Sequence, residues 1–383
     1  MLELLIAFVV SACATLLIVR TTRLHGRHSG DRDFSKPQKF HVFAVPRIGG
    51  VGIALGLLMS VFGVAHLHDA GGALFMLTLL ACALPAFLSG LVQDFTEAVT
   101  PRGRLVATAV SAVLAYYYLG AAIRMTAIPG LDWLVQFEVG ALCATVLAVA
   151  GIAHAVNIID GFNGLASMCV AFMLGALAYV AFQCADPLVA ALALAGMGAV
   201  LGFFIWNFPA GLIFLGDGGA YFLGFYVAEL SILLLVRNAG EVSPLFPLLV
   251  CMYPIFETLF SIYRRRFLRD MPPSMPDGIH LHSLIYRRVI RWAMGSRSAK
   301  SLTRRNSMTS PYLWLLCMLS VMPAVLFWDN TVVLAVFIAL FAASYVLLYW
   351  RIVRFKSPRW LVFAPSLSPS QTHATSRADN REL

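Results

Sequence analysis

Residues 187–206 read PLVAALALAGMGAVLGFFIW, a run of twenty positions without one charged side chain. A helix that crosses the hydrocarbon core of a bilayer needs roughly 20 mostly apolar residues, so this stretch predicts a membrane-spanning helix. Ten similar stretches predict ten more: 2–19, 48–67, 73–92, 104–120, 139–157, 164–182, 212–236, 246–263, 311–328 and 330–350. We therefore expect an all-α polytopic membrane protein with about eleven transmembrane helices.

The composition excludes an ordinary soluble domain. Of the 383 residues, 60% are hydrophobic and only 12% are charged, whereas soluble domains carry about 25% charged residues. The first apolar stretch lacks a basic segment and a small-residue cleavage site, so we expect a retained helix and not a signal peptide. We expect one transmembrane domain over 1–350, followed by a cytoplasmic tail, 351–383, whose Ser, Arg and Pro content favours disorder.

The basic residues predict the orientation. Of the 28 Lys and Arg residues, 26 lie in every second connection between the predicted helices, and only Arg124 and Arg237 lie in the others. Short basic connections stay in the cytoplasm, so the amino end should lie outside and the carboxyl end inside. The formal charge of +9 is then an orientation signal and not a sign of nucleic-acid binding. The cytoplasmic connections are 20–47, 93–104, 158–163, 207–219 and 264–310, together with the tail.

The polar motifs lie on the same side. Backbone at membrane depth that is not helical is tolerated only where it lines a cavity or is buried in protein, so these loops are candidates for a binding site. They read QDFTE at 93–97, NIIDGFNGLA at 157–166, NFPA at 207–210, FLGDGG at 214–219 and HLH at 280–282.

Each motif alone has an ordinary interpretation. The Asp-Gly pairs at Asp160 and Asp217 are typical of turns, Asp94 could cap a helix, and His280 and His282 could be solvated. Three Asp-containing loops on one face can nevertheless bring their carboxylates into one pocket. Mg²⁺ that also binds phosphate takes one or two carboxylates, and nearby Arg and His side chains suit a diphosphate.

Together these motifs resemble the polyprenyl-phosphate N-acetylhexosamine-1-phosphate transferases, over about residues 35–310. Members of this family carry Lys-x-His and Pro-Arg-x-Gly-Gly, then Asn-x-x-Asp-Gly-x-Asp-Gly-Leu-Ala, Asn-x-Pro-Ala, Phe-x-Gly-Asp-x-Gly and His-x-His-His. The corresponding residues here are Lys39 to His41, Pro46 to Gly50, Asn157 to Ala166, Asn207 to Gly219 and His280 to Ser283.

The resemblance implies transfer of a sugar-1-phosphate from a UDP-sugar, expected to be a UDP-N-acetylhexosamine, to undecaprenyl phosphate, with release of UMP. It implies Mg²⁺ as cofactor, with Mn²⁺ as an alternative, and a multi-pass protein of the bacterial inner membrane. The Pro-Arg-Ile-Gly-Gly form is more similar to the branch that initiates surface polysaccharides than to phospho-N-acetylmuramoyl-pentapeptide transferase, which stays the alternative. A homodimer is left open.

The resemblance also suggests roles for individual residues. Asp217 and Asp160 would bind the metal, and Asp94, Asp160, His280 and His282 would be catalytic. The residues that would contact substrate are Lys39, His41, Asn157, Asn163, Asn207, Phe214, Arg264 and Arg265, with Asn207 and Phe214 holding the uracil. The arginines at 264–266 have a second interpretation, as a positive-inside anchor.

Five positions depart from the family pattern. The usual Asp-Asp-x-x-Asp reads Gln93-Asp94-Phe95-Thr96-Glu97 here, and Asn163, Ser283 and Glu257 replace Asp, His and Asp. Gln93 matters most, because an amide cannot accept a proton at neutral pH. Either Asp94 serves alone, or no base is needed because the acceptor phosphate is already ionised, or activity is lost.

Two rival classes follow from these observations. The loss of an Asp at Gln93 allows a catalytically degenerate paralogue. A transporter would place ionisable groups at mid-membrane on broken helices in two similar halves. Only the acids Glu229 and Glu257 fall well inside predicted helices, and no such paired halves are evident, so the sequence favours the transferase.

Overall fold

The computed structural model describes residues 1–22, 30–31, 45–268, 280–290 and 299–354. Lys39, His41 and the expected disordered tail from residue 355 onward lie outside these ranges. The described residues are mostly helical, with loops between the helices and one short antiparallel pairing of Gly30–Asp31 (β1) with Val45–Pro46 (β2). The expected all-α class is therefore confirmed.

Thirteen α-helices make up the described fold, and turns of the wider π type at Arg264–Leu268 and Tyr286–Ile290 extend the tenth and eleventh. The helices are α1 Leu2–Arg20, α2 Gly49–Thr96, α3 Pro101–Leu119, α4 Leu131–Leu134, α5 Glu138–Ile159, α6 Leu165–Gln183, α7 Pro187–Asn207, α8 Gly216–Arg237, α9 Leu245–Val250, α10 Met252–Tyr263, α11 Leu281–Ile285, α12 Ala299–Leu326 and α13 Thr331–Val353.

Helix α2 is a hairpin of two antiparallel spans, Gly49–His66 and Ala70–Thr96. In a straight helix, residues sixteen positions apart would be about 24 Å apart. The Ser60 hydroxyl nevertheless lies 3.9 Å from the Met76 sulfur, so the chain must reverse between them. The reversal returns the end of the second span to the start of the first, at the same edge of the protein.

Nine described segments are long and apolar enough to cross a membrane. Two expected spans are not among them. The stretch expected at 104–120 lies in α3, a 19-residue helix whose tyrosines and arginines lower its mean hydropathy. The stretch expected at 246–263 as one span is divided between α9 and α10 at Cys251. Pro254 follows three residues later, and a proline ring clashes with the carbonyl four residues before it in a continuous helix. Multi-pass membrane insertion is supported, and the count of eleven spans stays a prediction.

The core of the bundle is centred on α8, which is almost wholly buried. Helices α2 and α5 pack most extensively against it, and α1 lies against α7. Any side chain at Gly198 or Gly202 would overlap main-chain carbonyl oxygens of α1. Membrane helices approach this closely through small residues, because lipid offers no hydrophobic driving force between helices. The motif loops meet at the end of the bundle where α5 and α7 end and α6 and α8 begin.

Candidate active site

The Pro-Arg-Ile-Gly-Gly motif lies along the loop that precedes α8. The Phe214 N–H donates to the Pro46 carbonyl at 2.8 Å, and the Gly49 and Gly50 N–H groups donate to the carbonyls of Phe214 and Leu215 at 3.0 Å each. These main-chain hydrogen bonds connect two motifs that are more than 160 residues apart in the sequence. They place Arg47 beside the start of α8.

Two motif glycines are required by this contact. A Cβ atom at Gly50 would overlap the main chain of Gly219, and one at Gly216 would overlap the Arg47 carbonyl oxygen. Gly216 also has a φ of +79°, a conformation that side chains with a Cβ rarely adopt. The glycines therefore allow two segments of main chain to approach each other. This packing is a sufficient reason for glycine at both positions, without any direct contact to a ligand.

Asp94 caps the amino end of α8. Its Oδ1 accepts the Asp217 N–H and its Oδ2 accepts the Gly218 N–H, both at 2.9 Å, and the side chain is buried. A carboxylate at this position satisfies N–H groups that have no partner within the helix and complements the positive end of the helix dipole. Asp94 thus positions the main chain of Asp217, although the two residues belong to different helices.

Two guanidinium groups flank the Asp217 carboxylate. Arg104 donates from Nη1 to Asp217 Oδ2 in a close ion pair. The Nη2 atom of Arg47 lies 4.0 Å from Asp217 Oδ1 and 3.9 Å from Asp94 Oδ1. The Asp217 side chain keeps 15% of its surface exposed, so it can reach a ligand, whereas that of Asp94 cannot without a rearrangement.

Asp160 follows α5 and is electrostatically coupled to Asp217. Burial and the nearby negative charge of Asp217 raise the pKa of Asp160 to about 7, and Arg47 offsets part of that rise. Two carboxylates that repel each other in a poorly solvated site favour a bound cation.

The donor set fits a magnesium ion that is shared with a phosphate ligand. Within the part of the chain that the structure describes, no three His, Cys, Asp or Glu side chains are grouped to hold a metal. Mg²⁺ is, however, often bound through one or two carboxylates, with phosphate oxygens and water completing its coordination. Asp160 and Asp217 would be those two carboxylates if the ion is bound here, because Asp94 already has both oxygens engaged by the main chain.

Asn207 joins two of the motif loops. Its Oδ1 accepts the Gly164 N–H at 2.6 Å, and its Nδ2 donates to the Ile213 carbonyl at 2.7 Å. The side chain is buried, so both polar atoms of the amide are engaged inside the protein. The expected contact of Asn207 and Phe214 with uracil stays a prediction, beside this structural role of Asn207.

The first turns of α12 hold the loop after α5. Asn306 accepts the Asn163 N–H at 2.8 Å, Asn163 Nδ2 donates to Ser307 Oγ at 3.2 Å, and Ser310 Oγ donates to the Asn163 carbonyl at 2.6 Å. The sequence interpretation did not include these α12 residues. The available signal was a polar run, RRNSMTS, directly before an apolar stretch.

Asn157 and Arg104 both contact Tyr221. Asn157 Nδ2 donates to the tyrosine hydroxyl at 3.1 Å, the guanidinium of Arg104 lies 5.8 Å from the ring centre, and the His154 ring packs edge-on at 4.8 Å. Tyr221 is buried one turn beyond Asp217 in α8. This tyrosine and Arg104 belong to the site, and the motif comparison had not singled out either of them.

The histidine loop reaches the Asp160 loop. The rings of His280 and His282 stack almost parallel, with centres 5.1 Å apart. A Cβ at Gly161 would lie 3.2 Å from His282 Nε2, and the ring of Phe162 lies 5.6 Å from that of His282. The structure therefore places His282 against Gly161 and Phe162, the two residues that follow Asp160.

Arg264 and Arg265 have different surroundings. Arg264 is buried, donates to the Tyr349 hydroxyl at 3.1 Å and lies 5.4 Å from that ring centre. Arg265 Nη2 lies 3.3 Å from His280 Nε2. Arg264 thus packs on α13, and Arg265 belongs to the histidine cluster.

Gln93 has a local structural role. Its Oε1 accepts the Val99 N–H at 2.9 Å, which closes the loop between α2 and α3. Because this loop follows the last turn of α2, which carries Asp94, and leads to Arg104 in α3, the amide helps to hold two charged residues of the site.

Comparison with known proteins identifies a matching family. Residues 76–235 match the model of glycosyl transferase family 4. This range includes Asp94, Asp160 and Asp217.

Full-length relatives extend the match. The chain is 30% identical over 287 residues to the probable undecaprenyl-phosphate N-acetylglucosaminyl 1-phosphate transferase of Bacillus subtilis, covering 74% of this chain and 77% of the relative. It is 27% identical over 292 residues to the undecaprenyl-phosphate alpha-N-acetylglucosaminyl 1-phosphate transferase of Thermotoga maritima, covering 76% and 82%. It is 30% identical over 201 residues to the phospho-N-acetylmuramoyl-pentapeptide-transferase of Oceanobacillus iheyensis, covering 49% and 61%.

Proposed function

Because this chain belongs to glycosyl transferase family 4, we propose that it transfers N-acetylhexosamine-1-phosphate from a UDP-sugar to undecaprenyl phosphate. The observation that carries the proposal is the cluster of Asp160 and Asp217 with Arg47 and Arg104. Carboxylates for a divalent cation and guanidinium groups for phosphate are the two requirements of phosphoryl transfer. The product would be a lipid-linked sugar diphosphate that starts surface-polysaccharide synthesis.

The reaction is a displacement at phosphorus. An oxygen of the acceptor phosphate forms a bond to the β-phosphorus of the donor, the bond from that phosphorus to the bridging oxygen breaks, and the electron pair leaves with UMP. A phosphate monoester has a second pKa of about 6, so the attacking oxygen is already ionised at pH 7. The protein therefore needs to hold two anions together more than it needs a strong base, which suits a site with Gln93 beside Asp94.

Asp160 and Asp217 would hold Mg²⁺, which neutralises charge on the diphosphate when it is bound. Asp94 keeps the Asp217 main chain in place. Arg104 pairs with Asp217 on one side, and Arg47 lies near both acids. These fixed charges are preorganised, so they stabilise the transition state without reorientation during the reaction.

The nucleotide would lie between the Asn207 and Phe214 loop and the histidine cluster. Arg265 and the paired His280 and His282 are the cationic and polar groups on that side, and Arg265 would contact the diphosphate. Lys39 and His41 are proposed phosphate contacts from the first cytoplasmic connection.

The Lys and Arg distribution supports an orientation with these loops in the cytoplasm, where UDP-sugars are made, and hence the inner membrane of a bacterium. The phospho-N-acetylmuramoyl-pentapeptide relatives make UDP-N-acetylmuramoyl-pentapeptide the second candidate donor. The acceptor and the chemistry are the same for both candidates.

A labelled donor tests the proposal. Purified protein in detergent would receive undecaprenyl phosphate, Mg²⁺ and UDP-N-acetylglucosamine labelled with ³²P at the β-phosphorus. Transfer of a sugar-1-phosphate moves the label into the lipid fraction and releases UMP, whereas transfer of the sugar alone leaves the label in UDP. A parallel reaction uses labelled UDP-N-acetylmuramoyl-pentapeptide. Asp217→Asn protein is the matched control, and no labelled lipid from either donor would contradict the proposal.

A further inference from the structure

A buried carboxylate connects the histidine loop to the last helix. Glu257 in α10 is fully buried. Its Oε1 accepts His280 Nδ1–H at 3.0 Å and the Leu281 N–H at 3.1 Å, and its Oε2 accepts the Tyr345 hydroxyl of α13 at 2.7 Å. A buried carboxylate is costly unless it is hydrogen-bonded; here three donors from two separate parts of the chain satisfy it.

The surroundings of His280 determine which of its nitrogens carries the proton. On the other side of the ring, Arg265 Nη2 lies 3.3 Å from His280 Nε2. A guanidinium group has only donors, so Nε2 must be the acceptor in this contact. The proton must then lie on Nδ1, where it is donated to Glu257. Both neighbours therefore require the same neutral tautomer of His280.

We propose that Glu257 is a positioning residue that acts through His280 on Arg265. The carboxylate holds the imidazole in its Nδ1–H tautomer, and the Nε2 lone pair in turn holds the guanidinium of Arg265 toward the diphosphate. Tyr345 fixes the second carboxylate oxygen, which makes α13 part of the support of the site. The assignment of the diphosphate as the target of Arg265 depends on the proposed function; the chain of hydrogen bonds does not.

This arrangement gives His280 a role other than proton transfer. Its Nε2 lone pair is engaged by Arg265, so in this state it is not available as a base. The ring also stacks on His282 at 5.1 Å, and His282 approaches Gly161. The orientation that Glu257 imposes on one ring is therefore passed to the ring beside the Asp160 loop.

Variants at Glu257 test separately whether the charge of this side chain and its length are required. Glu257→Gln keeps an oxygen acceptor of the same reach and removes the charge, and Glu257→Asp keeps the charge with a shorter reach. Tyr345→Phe removes one hydrogen bond only. The matched control is Glu229→Gln, because Glu229 is also a fully buried acid in a membrane helix, and neither of its oxygens has a hydrogen-bond partner among the described residues.

The kinetic readout compares kcat with KM for the UDP-sugar. Arg265 would act on charge that develops as the phosphoanhydride bond breaks, so Glu257→Gln should lower kcat at least tenfold and change KM by less than threefold. Glu257→Asp should recover part of kcat, and Glu229→Gln should match the wild type. In an Arg265→Lys background, Glu257→Gln should lower kcat by less than a further threefold, because the effects of residues that act as a unit are not additive. The proposal would be overturned if the losses of kcat from Glu257→Gln and Arg265→Lys were fully additive in the double variant. A kcat for Glu257→Gln within twofold of wild type would also overturn it.

A spectroscopic readout is independent of activity. In protein labelled with ¹⁵N-histidine, the His280 signals, identified by their loss in His280→Gln, should show a protonated Nδ1 and an unprotonated Nε2. Glu257→Gln should shift the Nδ1 signal or mix the tautomers. Should the wild type transfer no label while these spectra appear as stated, the proposed function fails and the positioning role stands. Protonation at Nε2 in the wild type would refute the positioning role, whatever the activity.

Discussion

The Asp94 carboxylate binds the main chain of Asp217 and not the Asp217 side chain: the Asp94 Oδ1 atom accepts the Asp217 N–H at 2.9 Å. Two acids that the motif loops were expected to bring into one pocket therefore have different surroundings. One is buried and caps a helix, and the other keeps an exposed carboxylate edge between two arginines. This difference leads to separate expectations for the two residues.

We expect Asp94→Asn to lower turnover at least tenfold and to lower the thermal stability. An amide offers one acceptor oxygen where the carboxylate offers two, so one of the N–H groups at the start of α8 loses its partner. Loss of a helix cap costs about 1 kcal/mol, and Asp217 would shift with the helix end. The measurements are kcat and the melting temperature in detergent. Arg102→Gln, at an exposed position at the start of α3, is the control and should retain both.

We expect Asp217→Asn to abolish transfer while the protein stays folded and inserted. The substitution removes a negative charge from the site shared with Asp160, and an amide is a much weaker ligand for a hard divalent cation. Turnover should be measured over a Mg²⁺ titration, together with the melting temperature. Activity within about threefold of wild type at all Mg²⁺ concentrations would exclude Asp217 as a metal ligand.

We expect Gln93→Asp to change turnover by no more than about tenfold, roughly 1.4 kcal/mol of activation free energy. Gln93 accepts a loop N–H from Val99, and the acceptor phosphate is its own ionised nucleophile. For the same reason, the wild-type rate should fall below about pH 6, where the monoester gains a proton. A pair of pH–rate profiles measures both effects. An inactive wild type beside an active Gln93→Asp variant would identify a degenerate paralogue.

We expect alkaline phosphatase fused after residue 360 to be inactive and the same reporter fused near residue 240 to be active. The reason is the unequal distribution of Lys and Arg, of which 26 of 28 lie in the connections assigned to the cytoplasm. Green fluorescent protein at the same two positions is the complementary control, because it matures only in the cytoplasm. The reverse pattern for both reporters would place the motif loops outside the cell.

Much of the fold could be predicted from local composition. Spans such as 164–182 and 187–206 correspond to α6 and α7 within one or two residues, because an uninterrupted apolar run has no stable alternative to a helix in lipid. The span expected at 246–263 was less accurate, since whether prolines bend or divide a helix depends on its neighbours. The reversal within α2 was expected from the gap between two apolar runs, 48–67 and 73–92.

Motif spacing indicated which loops form the site but not what each side chain does there. Asp94, Asp160 and Asp217 had the same chemistry and similar Gly-rich or polar surroundings in the sequence. Their separate roles depend on contacts between residues that are far apart, such as the 123 positions between Asp94 and Asp217. Asn306 and Ser310 gave only a weak signal, because a polar residue at the start of a membrane helix commonly faces water.

The amino-acid sequence by itself determined the membrane environment, most of the helices and the loops that carry the chemistry, because hydropathy and helix length are local properties that lipid enforces. Only the tertiary structure decided which polar groups are engaged inside the protein. Asp94 and Asn207 are engaged by main-chain groups, and Glu257 is satisfied by His280 and by Tyr345, 88 positions further along the chain. Hydrogen bonds act over about 3 Å, so their partners depend on how the helices pack and not on the order of residues in the chain.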